Sequence, residues 1–262
     1  MDINPKLIEV LKKHIPDHSD EGNLLLVTDE DTAPIQTEFL KKYLTEIDPE
    51  LVIETGTNAC CFPGFVKGFL PKVEVITFGR DDWSRPCVEA VNKFYGEDYI
   101  TFIEGDSTVT MPQYVDQFEG HRNKNSAAWM DGGHTLPVAY SDLVHLYKYG
   151  VDHIFVDDIN PKWPWQTLVP LYRFMVDFPY EIVDMSRDKR GIAYLRKSKT
   201  RKPLTAEELA QAERIYNEAG VPQPAPQQQQ RVTLPDHIMS QINDWMAEEK
   251  AKIEPVDHDA VD

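Results

Sequence analysis

Five short, almost unbroken apolar runs constrain this chain most: "LVIETG" (51–56), "VEVITF" (73–78), "ITFIEGD" (100–106), "AAWMD" (127–131) and "HIFVDD" (153–158). Continuous runs, as opposed to alternating ones, predict strands covered on both faces. Helical patterns separate them. "SRPCVEAVNKFYG" offers Ser84 as an N-cap, and "LPVAYSDLVHLYKYG" sets Leu136, Tyr140, Leu143 and Tyr147 on one face before stopping at Gly150. Strands alternating with helices predict a doubly wound α/β sheet with helices on both faces. The ending differs. After the helix-like "WQTLVPLYRFMVDF", the segments "YEIVDMS" (180–186) and "GIAYLRK" (191–197) are separated only by "RDKR". A parallel crossover needs a dozen or more residues, so these two form an antiparallel hairpin. The expectation is a seven-stranded sheet: five parallel strands and a C-terminal hairpin.

The flanks read as helices and linkers. Asn4 suits a cap and Pro5 the first helical position, with Leu7, Ile8, Leu11 and Ile15 on one face. "IQTEFLKKYLTEI" carries a second stripe: Ile35, Phe39, Leu40, Tyr43, Leu44 and Ile47. The expected organisation is an N-terminal helical segment or lid over 1–34, the α/β domain over 35–200 and a helix over 201–220 with a Thr205/Glu208 capping box. A Pro/Gln-rich linker (221–235) and a C-terminal helix with a disordered tail (236–262) follow. That last helix, with Ile238, Ile242, Trp245 and Met246 at helical spacing, either docks on the domain or joins a second copy in a homo-oligomer.

A formal net charge of −17 repels polyanions and argues against nucleic acid as a partner. The basic run at 196–202 reads as a solvated connector. Cys60, Cys61 and Cys87 form neither a disulfide framework nor a zinc pattern. No leader segment is read at the N-terminus, and no apolar run is long enough to span a membrane, so a cytoplasmic protein is expected.

Ligands of doubly wound sheets bind beyond the carboxyl ends of the strands. The first such loop, "VIETGTNACCF", lacks the G-x-G-x-x-G of a dinucleotide site. Its Glu54 can hold an ammonium group, and Gly56 permits close backbone approach. A strand followed by E-x-G and a helix, then "EGDS", "DGGH", "DD" and a terminal hairpin resembles the class I S-adenosylmethionine-dependent methyltransferases, with their Rossmann-like sheet, across roughly residues 35–197. Within them it is most similar to the metal-dependent small-molecule O-methyltransferases of the catechol, caffeoyl-CoA and macrolide-sugar types. The resemblance implies that Glu54 and Gly56, with Asn58 in the same loop, contact the methionine part of the cofactor. It implies that Asp106 and Ser107 sit beside the adenine, with Asp131 also at the cofactor. Gly79 stands where the ribose-binding acid is expected, which leaves Asp81, slightly later, as the candidate. Asn58 and Cys60 replace the second and third glycines of the family pattern.

If the fourth and fifth strands are neighbours, Asp131, Asp157 and Asp158 converge. Three close carboxylates repel unless a cation or protons neutralise them. In the metal-dependent relatives such residues hold magnesium. The resemblance therefore implies Mg²⁺, or Mn²⁺ or Ca²⁺, on Asp131, Asp157 and Asp158, activating a hydroxyl of a small acceptor. His134, three residues after Asp131, matches the D-x-x-H of the sugar enzymes, as a general base working with Asp131. Structural uses compete: Glu54 as a helix N-terminal carboxylate, Asp106 as a turn former, His134 as a helix cap, the acids as strand-end groups with no metal. Trp163 and Trp165 either wall a pocket or pack their loop. Two other functions stay open: a metal-independent O- or N-methyltransferase with His134 as base, and a non-catalytic binding or assembly protein on the same frame.

Overall fold

The computed structural model describes residues 4–15, 33–96, 98–117, 124–159, 167–186, 188 and 190–200. The chain divides into two units, Met1–Ala219 and Gly220–Asp262, and every described residue belongs to the first. The readings made for 201–262, and for Trp163 and Trp165, lie outside the described residues.

The helices are α1 (Pro5–Leu11), α2 (Ala33–Ile47), α3 (Cys61–Phe69), α4 (Ser84–Tyr95), α5 (Ser107–Gln117), α6 (Leu136–Tyr149) and α7 (Leu168–Asp177). The strands are β1 (Leu51–Thr55), β2 (Glu74–Gly79), β3 (Ile100–Glu104), β4 (Ser126–Met130), β5 (His153–Val156), β6 (Tyr180–Met185) and β7 (Ala193–Lys197). They form one sheet in the order β3-β2-β1-β4-β5-β7-β6. The first five are parallel, and β7 runs antiparallel to both β5 and β6; the 186–192 connection is too short for a parallel crossover between β6 and β7.

Alternate residues of the central strands feed two cores. Val52, Val75, Ala127, Trp129 and Phe155 face α1–α4, while Ile53, Ile76, Ala128, Met130 and Ile154 face α5–α7. Helices cover both faces, and so β1, β4 and most of β5 read as unbroken apolar runs. β3 departs from that expectation. It is an edge strand, and most of its residues are half-buried or exposed. Asn4 caps α1 by accepting from the Lys6 N–H, with Pro5 at the first helical position. Ser84 does not cap α4. It is the first helical residue, and its hydroxyl donates to the Asn58 carbonyl. In α6 the buried side is Ala139, Leu143, Val144 and Leu146; Leu136 lies exposed and Tyr140 and Tyr147 are half-covered. The three cysteines are free and buried. No helix among the described residues is long and apolar enough to cross a membrane.

Candidate active site

The chain leaves β1 toward β2 on one side, while β4 pairs on the other. The loops after β1 and β4 therefore diverge at a switch in strand order, where open α/β sheets form their ligand crevice. Asp131 N–H donates to the Thr55 carbonyl and Asp157 N–H to the Met130 carbonyl, so each acid extends its ladder by one step. Asp158 has a left-handed φ of +54°.

His134 lies between the two strand ends. Its Nε2 is 3.3 Å from Asp131 Oδ1 and its Nδ1 is 3.4 Å from Asp158 Oδ2. It does not cap α6, whose cap position belongs to Thr135. The Asp131 hydrogen bond raises the imidazole pKa. Burial opposes this, the charges of Asp131 and Asp158 reinforce it, and Arg190 works against it. One ligand atom from each of Asp131, His134 and Asp158 lies within 4.8 Å of the others, a geometry that can hold a metal ion.

Asp157 is turned elsewhere. It is 2% exposed and accepts from Gln36 Nε2 (3.3 Å) and Arg190 Nη2 (2.8 Å). Arg190 Nε donates to Asp158 Oδ1 at 2.8 Å, so one guanidinium spans both acids. Burial and then the charge of Asp131 push the Asp157 carboxyl upward; Arg190 opposes them. A guanidinium stays charged at any ordinary pH, and at 2.8 Å it gives both carboxylates a permanent counter-charge.

The residues expected to hold a cofactor follow β1, β2 and β3 in the same sheet. Glu54 is buried and accepts from the Thr77 hydroxyl, which in turn meets Thr57 Oγ1 at 2.6 Å. Burial raises its pKa well above the usual range; Thr77 opposes this and the Asp131 charge adds to it. Gly56 (φ +92°) presses its backbone against Asp131. Asn58 (φ +42°) and Cys60 (φ +59°) hold left-handed conformations. Their loop keeps the backbone path for which glycine is the easy choice, despite carrying side chains. Trp83 Nε1 donates to Asn58 Oδ1 at 3.0 Å and ties this loop to the one after β2.

Gly79, where a ribose-binding acid is expected, has no room for one: a Cβ there would stand 2.6 Å from Thr57 Oγ1. Asp81 is half-exposed and stands at the α4 start, its carbonyl accepting from Ser84 N–H. Asp106 Oδ1 accepts from the Thr108 N–H (2.9 Å) and hydroxyl (2.6 Å), and these bonds hold its pKa below the usual value. Its turn-forming role is thus real, whatever else it binds.

No protein-family model and no curated protein matches the chain. Solved structures do. A Bacillus cereus O-methyltransferase in complex with S-adenosylhomocysteine aligns with a TM-score of 0.53 at 14% identity, covering 74% of this chain and 91% of that one. The S-adenosylhomocysteine-bound Podospora anserina methyltransferase PaMTH1 gives 0.52 at 14%, covering 75% and 89%. The Streptomyces achromogenes O-methyltransferase TomG, solved with S-adenosylmethionine, gives 0.53 at 11%, covering 72% and 90%. The fold is that of the class I methyltransferases.

On that methyltransferase frame, four site residues carry no sequence signal of the family. Gln36, Asp188 and Arg190 complete the acid cluster, and Asp142 lies beneath the 131–134 turn. Asp142 is fully buried, neither of its oxygens nor Thr55 Oγ1 makes a hydrogen bond of full geometry among the described residues, and a Cβ on Gly132 would stand 2.9 Å from Asp142 Oδ2. Burial raises its carboxyl to about 7, against the pull of the nearby Ser107 and Thr55 hydroxyls. Its position offered one clue: Asp142 is three residues after Ala139 and four before Leu146, on the apolar side of α6.

Proposed function

We propose that this chain transfers the methyl group of S-adenosylmethionine to a hydroxyl oxygen of a small molecule. Its support is the methyltransferase frame together with one observation: His134 stands at the switch-point edge with a carboxylate on each ring nitrogen. S-Adenosylmethionine, when bound, supplies an electrophilic methyl on a sulfonium that departs as a neutral thioether. Glu54, Gly56 and Asn58 would hold its methionine end, Asp106 and Ser107 its adenine, and Asp81 its ribose.

Those residues fit such a ligand in two respects. Gly56 brings main chain to the cleft where a side chain is excluded, and the loop keeps its left-handed steps at Asn58 and Cys60. His134 then acts on the acceptor. Asp131 and Asp158 stabilise the imidazolium, so the neutral ring is a stronger base and takes the hydroxyl proton as the oxygen attacks. At 3.3 Å the Asp131 contact is loose enough to yield to an acceptor hydroxyl.

A metal-assisted form is favoured by the convergence of Asp131, His134 and Asp158. Two oxygens and an imidazole nitrogen suit Mn²⁺ better than Mg²⁺, which prefers an all-oxygen shell. An ion there would lower the acceptor's pKa and aim its oxygen, with His134 serving as ligand in place of base. Asp157 would stand behind that group, held by Arg190.

Calorimetry with S-adenosylhomocysteine is the direct test. Saturable binding is expected, and its absence at millimolar ligand would remove the proposal. With binding established, acceptors are screened by release of S-adenosylhomocysteine, with and without EDTA.

A further inference from the structure

The acid cluster contains a cation of its own. Arg190 places one nitrogen on each of two neighbouring carboxylates, Nη2 on Asp157 Oδ2 and Nε on Asp158 Oδ1, both at 2.8 Å. The turn around it is built to aim it. Asp188 Oδ1 accepts the backbone N–H of Arg190 and of Gly191, each at 2.9 Å, and Gln36 Nε2 reaches both Asp188 (3.4 Å) and Asp157 (3.3 Å). Asp158 is shared, with Oδ1 on Arg190 and Oδ2 facing His134.

We propose that Arg190 is the resident counter-ion of Asp157 and Asp158, and that a divalent ion enters the Asp131–His134–Asp158 group only by displacing Arg190 from Asp158. The inference rests on reading that group as part of a catalytic site. Arg190 Nε holds Asp158 Oδ1 while Oδ2 faces His134, so an ion bound by Asp131, His134 and Asp158 would meet the guanidinium across a single carboxylate. A divalent ion and a guanidinium on one carboxylate repel each other at a few ångströms, and partial burial screens that repulsion poorly. Arg190 supplies these carboxylates with a permanent positive charge of the chain's own, so metal occupancy becomes an exchange of cations.

The test measures Mn²⁺ binding to the full chain by electron paramagnetic resonance, in wild type and in Arg190→Gln. Binding at least tenfold tighter in R190Q is expected, and adding Asp131→Asn to R190Q should reverse the gain. Equal affinity, a gain that survives D131N, or no Mn²⁺ binding in either protein at millimolar ion would overturn the proposal. Should R190Q fail to fold, wild type decides: the Arg190 Nε–H resonance, followed by NMR during Mg²⁺ titration, should move in step with ion binding. An Nε–H signal unmoved at saturation would also overturn it. Neither measurement involves the methyl donor; failure of the methyltransferase reading would appear separately, as loss of S-adenosylhomocysteine binding in wild type.

Discussion

Gly56 and Asp131 touch through their backbones: a Cβ built on Gly56 would stand 2.0 Å from the Asp131 carbonyl oxygen. β1 and β4 are locked together at the point where their loops part. Gly56→Ala combines this collision with an unfavourable φ of +92°. It should cost about 3 kcal/mol or more and abolish S-adenosylhomocysteine binding, measured by urea unfolding and calorimetry.

Asp142 sets a pH dependence. Its carboxyl ordinarily titrates near 3.8 and is held at about 7 in the folded chain. The native state therefore keeps a proton that the unfolded chain gives up. This contribution is fully present below about pH 4, declines as pH rises toward 7, and is lost above it. The shift corresponds to about 4 kcal/mol. Asp142→Asn removes the slope, so urea unfolding should show the variant gaining stability over wild type between pH 5 and pH 8.

His134→Gln keeps the shape and polarity of the imidazole but cannot take a proton. It should bind S-adenosylhomocysteine within about threefold of wild type while losing roughly a hundredfold or more in transfer to any acceptor found. Loss of donor binding in that variant would assign His134 to the cofactor site instead.

Asp188→Ala removes the acceptor of two backbone N–H groups and one anchor of Gln36. A stability loss of about 1–2 kcal/mol is expected in urea unfolding. Arg190 would be less firmly aimed, so Mn²⁺ binding should tighten in the same direction as in R190Q.

The sheet and its hairpin were legible because the burial of β1, β4 and β5 on both faces forces unbroken apolar runs, and because 187–190 is too short to cross over. The exposure of β3 was not, since an edge strand can keep apolar residues that only its neighbours would reveal. Asp131, His134 and Asp158 could be named from their places after two strands. Which acid would join His134 depended on the φ of Asp158, a backbone detail with no composition signal. Arg190 was hidden in a turn, yet the topology held the clue: β7 is antiparallel to β5, with Ala193 opposite Val156, so the β6–β7 turn must arrive at the edge where β5 ends.

That hairpin also orders the molecule in time. On a ribosome, Asp131, Asp157 and Asp158 emerge well before Arg190, and β5 waits with one side unpaired until β7 follows. A nascent chain halted before residue 190 would hold its acids bare and its sheet open, so maturation of this edge belongs to the last moments of the domain's synthesis.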